Sequence, residues 1–406
     1  MAFVILGMRC YTPALFSLAL SAAAQTWSQL PDFPGTARDD AASFTIGNKI
    51  YVGTGMDVGF QLTNDWWCFD TQTEIWAPIA AMPTTPRQYC TGFTIVDTGY
   101  VFGGVDANGA LDQLWAYHPE QDTWEQKASI PAEARYACVA VTGFYTNAIV
   151  ATGMLASGVP TNEAWKYQAA VDAWEAIASV PGPARHRAAC FLDGGGMRIV
   201  GGADVDNNAL SDSWSYPIWF ETGEWYTAPN LPAPRYGADG SGDYVTVLTG
   251  GATSASEFHD ETWILNGNAW SAVEAFPGSP RRGGVGAAGM STSPWLTRFY
   301  YGTGSDLGSR YKDWWMLEFP VSVAEHSSGS LALFPVPANS SLIIRMQAPS
   351  AWQIWRLFGW DGRLLMQGPV GAANIELSTA SLVSGSYMVH LVGIHGTATE
   401  RFTVIH

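Results

Sequence analysis

Six arginines recur about 49 residues apart, at Arg38, Arg87, Arg135, Arg185, Arg235 and Arg281. Each closes a proline-containing turn, and Arg282 follows the last of them. Tyr89, Tyr136, His186 and Tyr236 stand one or two residues beyond an arginine. A guanidinium presents a planar fork of donors suited to carboxylates, while aromatic faces suit sugar rings or peptide side chains. These ten repeat positions are therefore the candidate ligand-binding residues. A competing use is internal pairing, because Asp65, Glu163, Asp212, Glu261 and Asp313 recur downstream of five of the arginines. The second copy has Gln113 instead. Arg87, with Tyr89 and Tyr136 near it, is thus the arginine expected to lack its repeat partner and to meet a carboxylate-bearing ligand.

Support for catalysis is thin. Of the seven histidines, only His186 and His259 fall in segments expected on the same face as the arginines. The chain has no Gly-x-Ser-x-Gly elbow, phosphate loop or His-Glu-x-x-His. Asp204-Val205-Asp206-Asn207-Asn208 alternates oxygen ligands but lacks the glycine and bidentate glutamate of a calcium loop, and reads as a solvated turn. No cofactor and no metal are expected. Asp57, Asp106 and Glu257 are the loop acids that could act as a general acid or base if the protein were an enzyme.

The elements that would position these residues repeat with them. A β-rich run after each arginine ends in glycine, at Gly55, Gly104, Gly153, Gly202, Gly250 and Gly304. An acid-x-Trp-x-apolar step follows, as in Asp65/Trp67/Phe69 and Asp212/Trp214/Tyr216. A last tryptophan closes the unit, at Trp76, Trp124, Trp174, Trp225 and Trp270. This layout resembles the Kelch repeat, in which each copy forms one four-stranded propeller blade. The sixth copy lacks its closing strand, and Trp27-Ser28-Gln29-Leu30-Pro31 supplies the matching piece at the other end. The N-terminal strand is therefore expected to complete the sixth blade, sealing a sheet edge that would otherwise invite aggregation. Small residues just after the arginines, such as Ala41-Ala42-Ser43 and Gly283-Gly284, suit innermost strands converging on an axis. Most of the 19 tryptophans are expected to pack between blades.

Galactose oxidase, a copper enzyme with Kelch-type blades, needs seven blades and a set of histidines and tyrosines that this sequence does not reproduce. The resemblance leaves two functions open. One is a non-catalytic module binding glycan or protein ligands through the channel mouth, and it is the favoured reading. The other is an enzyme resembling the six-bladed Kelch sialic acid mutarotase, acting on acidic sugars.

The formal net charge is −16, and residues 331–406 contribute about +1 of it. A strongly acidic propeller argues against nucleic acid or anionic membrane as partners. Residues 1–24 read as a secretory signal, with Arg9, a short apolar run from Tyr11 to Ala19, and Ala22-Ala23-Ala24 before Gln25. No other stretch is long and apolar enough to span a membrane. Cys68, Cys90, Cys138 and Cys190 are expected as buried free thiols; Cys90 and Cys138 stand at equivalent places in neighbouring blades, which usually lie too far apart for a disulfide.

The propeller is assigned to residues 25–320 and a linker to 321–330. Residues 331–406 have a different grammar, with short strands and turns that suit a small Ig-like β-sandwich. They resemble the C-terminal sorting domain of the type IX secretion system of the Bacteroidetes. The landmarks are Phe334-Pro335-Val336-Pro337-Ala338-Asn339, Asp361-Gly362-Arg363, Leu382-Val383-Ser384-Gly385-Ser386-Tyr387 and Arg401-Phe402-Thr403-Val404. That resemblance implies export, recognition by the type IX machinery, and a secreted or surface-displayed product. A monomer is expected. The fold expectation is all-β: a six-bladed Kelch-type propeller plus the C-terminal sandwich.

Overall fold

The computed structural model describes residues 26–142, 146–193, 196–218, 223–242, 245–266, 269–290, 296–320, 331–347, 349, 352–359, 364–393 and 396–405. The expected signal segment, the expected linker and Asp361-Gly362-Arg363 lie outside them. The named elements are all β-strands. Six four-stranded antiparallel blades follow one another, the fifth carrying an additional two-residue strand, Glu257–Phe258. The first runs Ala42–Ile46, Lys49–Gly53, Trp66–Asp70 and Ile75–Ile79 from the axis outward.

The sixth blade is closed as the sequence implies. Arg282–Met290, Leu296–Ser305 and Trp314–Pro320 supply three strands, and Thr26–Leu30 pairs antiparallel with the third, Trp27 opposite Leu317. The ends of the ring are thereby joined by five residue pairs.

Two side-chain devices hold the blades together. Each closing tryptophan donates its indole N–H to a backbone carbonyl of the preceding blade's turn. Trp76 reaches Pro31 at 3.1 Å, Trp124 Ala80 at 2.8 Å, Trp174 Ala128 at 2.8 Å, and Trp225 Ala178 at 2.7 Å. Trp270 reaches Pro229 at 3.1 Å, and Trp27 completes the circle on Glu274 at 3.2 Å. The indole rings meanwhile cover aromatic neighbours, Trp27 lying edge-on to Phe276 at 5.3 Å. The second device lies on the innermost strands. Thr94 Oγ1 donates to the Thr45 carbonyl at 2.7 Å, and Thr142 Oγ1 donates in turn to that of Thr94. Apolar burial between blades supplies the driving force, and these bonds fix the blades' relative angle.

Residues 331–405 form a separate core. A three-stranded sheet, Leu331–Phe334, Ser341–Met346 and Asn374–Ser378, and a four-stranded sheet built on Trp352–Gly359 and Gly385–Gly393 share it. Leu342, Ile344, Leu357, Val389 and Val404 are fully buried there.

Candidate functional site

The repeat arginines do not line the channel mouth, which corrects the expectation placed on them. All six are buried at 0–2% exposure and turned into their own blades. Arg38 meets Asp65 through two bonds, 2.7 and 2.9 Å. Arg185 does the same with Asp212 at 2.9 and 2.6 Å, and Arg281 with Asp313 at 2.5 and 3.0 Å. Arg135 reaches Glu163 at 2.8 Å and Arg235 reaches Glu261 at 2.9 Å. Asp65, Glu163, Asp212 and Asp313 also accept the indole N–H of the repeat tryptophan, as Asp65 does from Trp67 at 2.9 Å. Burial alone would raise the Asp65 carboxyl, but the Arg38 bonds and charge, with the Trp67 indole, outweigh it and hold it below its ordinary range.

Arg87 is no exception. It is 1% exposed, and its Nη2 donates to Gln113 Oε1 at 2.8 Å and Thr84 Oγ1 at 2.6 Å. An amide oxygen takes the place of the carboxylate, so the expected free guanidinium in this sector is not retained.

The groups that face the channel come two residues later. Asp40, Tyr89, Ala137, Arg187, Gly237 and Gly283 occupy equivalent places, and all six have φ between +49 and +66°: 52, 57, 52, 54, 63 and 63°. This left-handed kink lets five of the backbone N–H groups reach the carbonyl of their counterpart in the preceding blade. Asp40 donates to Gly283 at 2.8 Å, Tyr89 to Asp40 at 3.0 Å, Ala137 to Tyr89 at 2.9 Å, Arg187 to Ala137 at 3.0 Å, and Gly237 to Arg187 at 2.8 Å. A belt of backbone bonds thus rims the channel and offsets the strain of non-glycine residues in that region.

On this rigid belt the side chains differ. The Arg187 guanidinium lies over the Tyr89 ring at 4.7 Å and donates to the Tyr89 hydroxyl. Tyr136 lies 5.8 Å from Tyr89, ring to ring. Gly237 and Gly283 leave space for charged neighbours. A Cβ at Gly283 would sit 2.5 Å from Asp40 Oδ1, and one at Gly237 would sit 3.2 Å from the Arg282 Cβ.

Asp40 borders the channel but has protein on its other sides, so it is only partly exposed and poorly hydrated. Burial pushes its carboxyl up to about 6; Arg187 pulls down, Asp39 adds to the rise, and Arg282 and Tyr89 oppose it. Its Oδ2 has no hydrogen-bond partner. Asp39, by contrast, is held by Ser305 Oγ at 2.6 Å and Arg310 Nε at 2.7 Å.

His186 is 5% exposed, and burial with the Arg187 charge drives its imidazole down to about 4, so it is neutral at physiological pH. His186 and Tyr136 lie outside both cavity linings, whereas Tyr89 lines the channel and Tyr236 borders the second cavity. Asp204 folds its carboxylate back on its own hairpin, accepting from the Asp206 and Asn208 amides at 2.9 Å each.

The channel encloses about 600 Å³ between small inner-strand residues. Deeper within it, Asp239 accepts from the Gly286 and Gly240 amides, both at 2.8 Å, yet burial still lifts its carboxyl to about 7. Cys90, Cys138 and Cys190 also line it as free thiols; burial pushes each up to about 12, which keeps them protonated and poor nucleophiles. Among the described residues no cluster of three or more His, Cys, Asp or Glu is placed to hold a metal ion.

Sequence reasoning overlooked Asp40 and Arg187. A signal was present, since these positions share a register with glycines in two other copies yet carry charge. Comparison with known proteins agrees with the architecture. Residues 11–180 match the KLHDC2/KLHL20/DRC7 Kelch-repeats domain. The solved structure of YjhT superposes with a TM-score of 0.61 at 15% identity, over 70% of this chain and 95% of that one. No curated protein matches the sequence. At that identity the likeness speaks for the fold.

Proposed function

We propose that this Kelch-type propeller is an exported binding module that takes a glycan or protein ligand at the channel mouth. One contrast carries the reading. Each of the six repeat arginines has a side-chain partner inside its blade, five a carboxylate and Arg87 the Gln113 amide, whereas Asp40 Oδ2 on the channel and Arg282 Nε and Nη1 in the adjoining cavity are buried with no partner. Folded proteins satisfy such groups, and a ligand is the natural candidate where a cavity adjoins them. The aromatic face of Tyr89 and the rigid belt beneath it favour recognition with little ordering cost. A glycan array probed with the exported protein tests this, with a protein-ligand pull-down in parallel. Retention of a defined glycan class or protein, lost on Arg187→Ala, is expected. No retention of any glycan or protein would refute it.

A second reading rests on Asp40 itself. A carboxyl lifted to about 6, unpartnered at Oδ2 and within electrostatic reach of two arginines, is poised to exchange protons near neutral pH. This favours an enzyme like the six-bladed Kelch sialic acid mutarotase, with Asp40 as the general acid and base. Nuclear magnetic resonance of anomer exchange in N-acetylneuraminate would reveal it, and Asp40→Asn should abolish any acceleration.

Export by the type IX route remains part of the proposal. It is supported by the signal-like first 24 residues and by the independent β core that begins at Leu331.

A further inference from the structure

Beside the channel mouth a second cavity of about 560 Å³ opens between the fourth, fifth and sixth blades. Arg187 stands in the wall shared with the channel, and Arg282 stands across it. The remaining polar lining is neutral, including Asn207, Asn208, Tyr236 and Thr253. Arg282 has two guanidinium nitrogens, Nε and Nη1, buried without a hydrogen-bond acceptor. Its stem lies against Gly237, where a side chain would crowd it. The acids near it do not line this cavity: Asp39 is committed to Arg310 and Ser305, and Asp40, within electrostatic reach of both arginines, borders the channel instead. In a chain of net charge −16, two arginines facing a cavity lined by no acid form a local attractor for an anion.

Resting on the binding reading above, we propose that this cavity is the specificity subsite and takes a carboxylate-bearing sugar unit. Arg282 and Arg187 receive the carboxylate, and Asn207, Asn208 and Thr253 border the ring hydroxyls. Tyr236 supplies a partly apolar wall. The cavity is bounded by two hairpins, at Asn207-Asn208 and at Thr253-Ser254-Ala255, and its volume suits one or two sugar rings. An acidic peptide would instead need an extended groove or a free strand edge.

Calorimetric titration of the exported protein with galacturonate and with galactose isolates the carboxylate, because the pair differ only at C6. Galacturonate should bind at least about tenfold more tightly, and its affinity should fall as salt is raised. Arg282→Gln should weaken galacturonate by about tenfold or more while leaving galactose unchanged. Asn207→Asp provides a variant on an exposed hairpin, at φ 62°, where aspartate is tolerated. It should also weaken galacturonate selectively, by placing a negative charge in the cavity. Equal affinity for the two sugars, or indifference to both substitutions, would overturn the proposal. Tight binding of an acidic tetrapeptide in place of galacturonate would overturn it as well. If array glycans still bind under those outcomes, the mouth-binding reading stands without this subsite; if nothing binds, both fall.

Discussion

Replacing Gln113 with glutamate should stabilise the propeller. In the other five blades the repeat arginine meets a carboxylate, while Arg87 donates to the Gln113 amide oxygen at 2.8 Å. The Arg87 side chain is 1% exposed, and burial lowers its pKa, with Cys90 and Asp106 opposing that only in part. Glutamate is nearly isosteric with glutamine, so the change exchanges a neutral acceptor for a charged one in a geometry the fold already uses. Hydrogen bonds to charged groups contribute roughly 1.5–3 kcal/mol against 0.5–1.5 for neutral ones. The acids of the other copies are 20–47% exposed, so solvent screens part of that difference. A net gain of about 1 kcal/mol is expected, or about 2 °C in Tm. The gain carries a pH signature. The new carboxyl should titrate below its unfolded value, as Asp65, Glu163 and Asp212 do. Stabilisation is therefore complete above about pH 4.3 and lost as pH falls through the lower folded value. Differential scanning calorimetry of both proteins at pH 7 and pH 3 reads both effects. An unchanged or lower Tm at pH 7, or a gain that persists at pH 3, would refute the account of the arginine–acid pairs.

Three other expectations are open to measurement. Trp27→Ala removes the indole bond to Glu274 and the edge contact with Phe276, and should cost about 3 kcal/mol; deleting residues 25–34 should cause aggregation or loss of cooperative melting, and unaltered melting would contradict closure by this strand. Asp40 is held protonated in the fold more readily than in the unfolded chain, so stability should decline as pH rises between about 3.9 and about 6, and Asp40→Asn should flatten that slope in melts from pH 4 to 7. In a host with type IX secretion, mature protein should begin at Gln25, lack most of residues 331–406 and lie outside the outer membrane; surface display that survives removal of the tail would count against the sorting assignment.

The repeat architecture was legible in the chain because its markers act locally. Arg38, Asp65 and Trp67 belong to one blade, as do their counterparts in the other copies, so their spacing records one blade's own geometry. Closure was legible for the same reason: the sixth copy runs out of strand and Trp27 supplies it. Detail within the register was less secure. In the fifth copy it is Gly251, not Gly250, whose amide reaches the Arg281 carbonyl at 2.8 Å, because two adjacent glycines offer no local distinction. The site itself could not be read this way. Arg185 and Arg187 are the same residue type two positions apart, and an extended strand would point them to the same side. The left-handed kink at Arg187, set by a backbone bond to Ala137 of the preceding blade, breaks that alternation. One arginine turns inward to Asp212 and the other stands over Tyr89 at the mouth. Asp40, Tyr89 and Arg187 come from three blades, and only closure of the ring gives them a common cavity and strips enough water from Asp40 to lift its pKa.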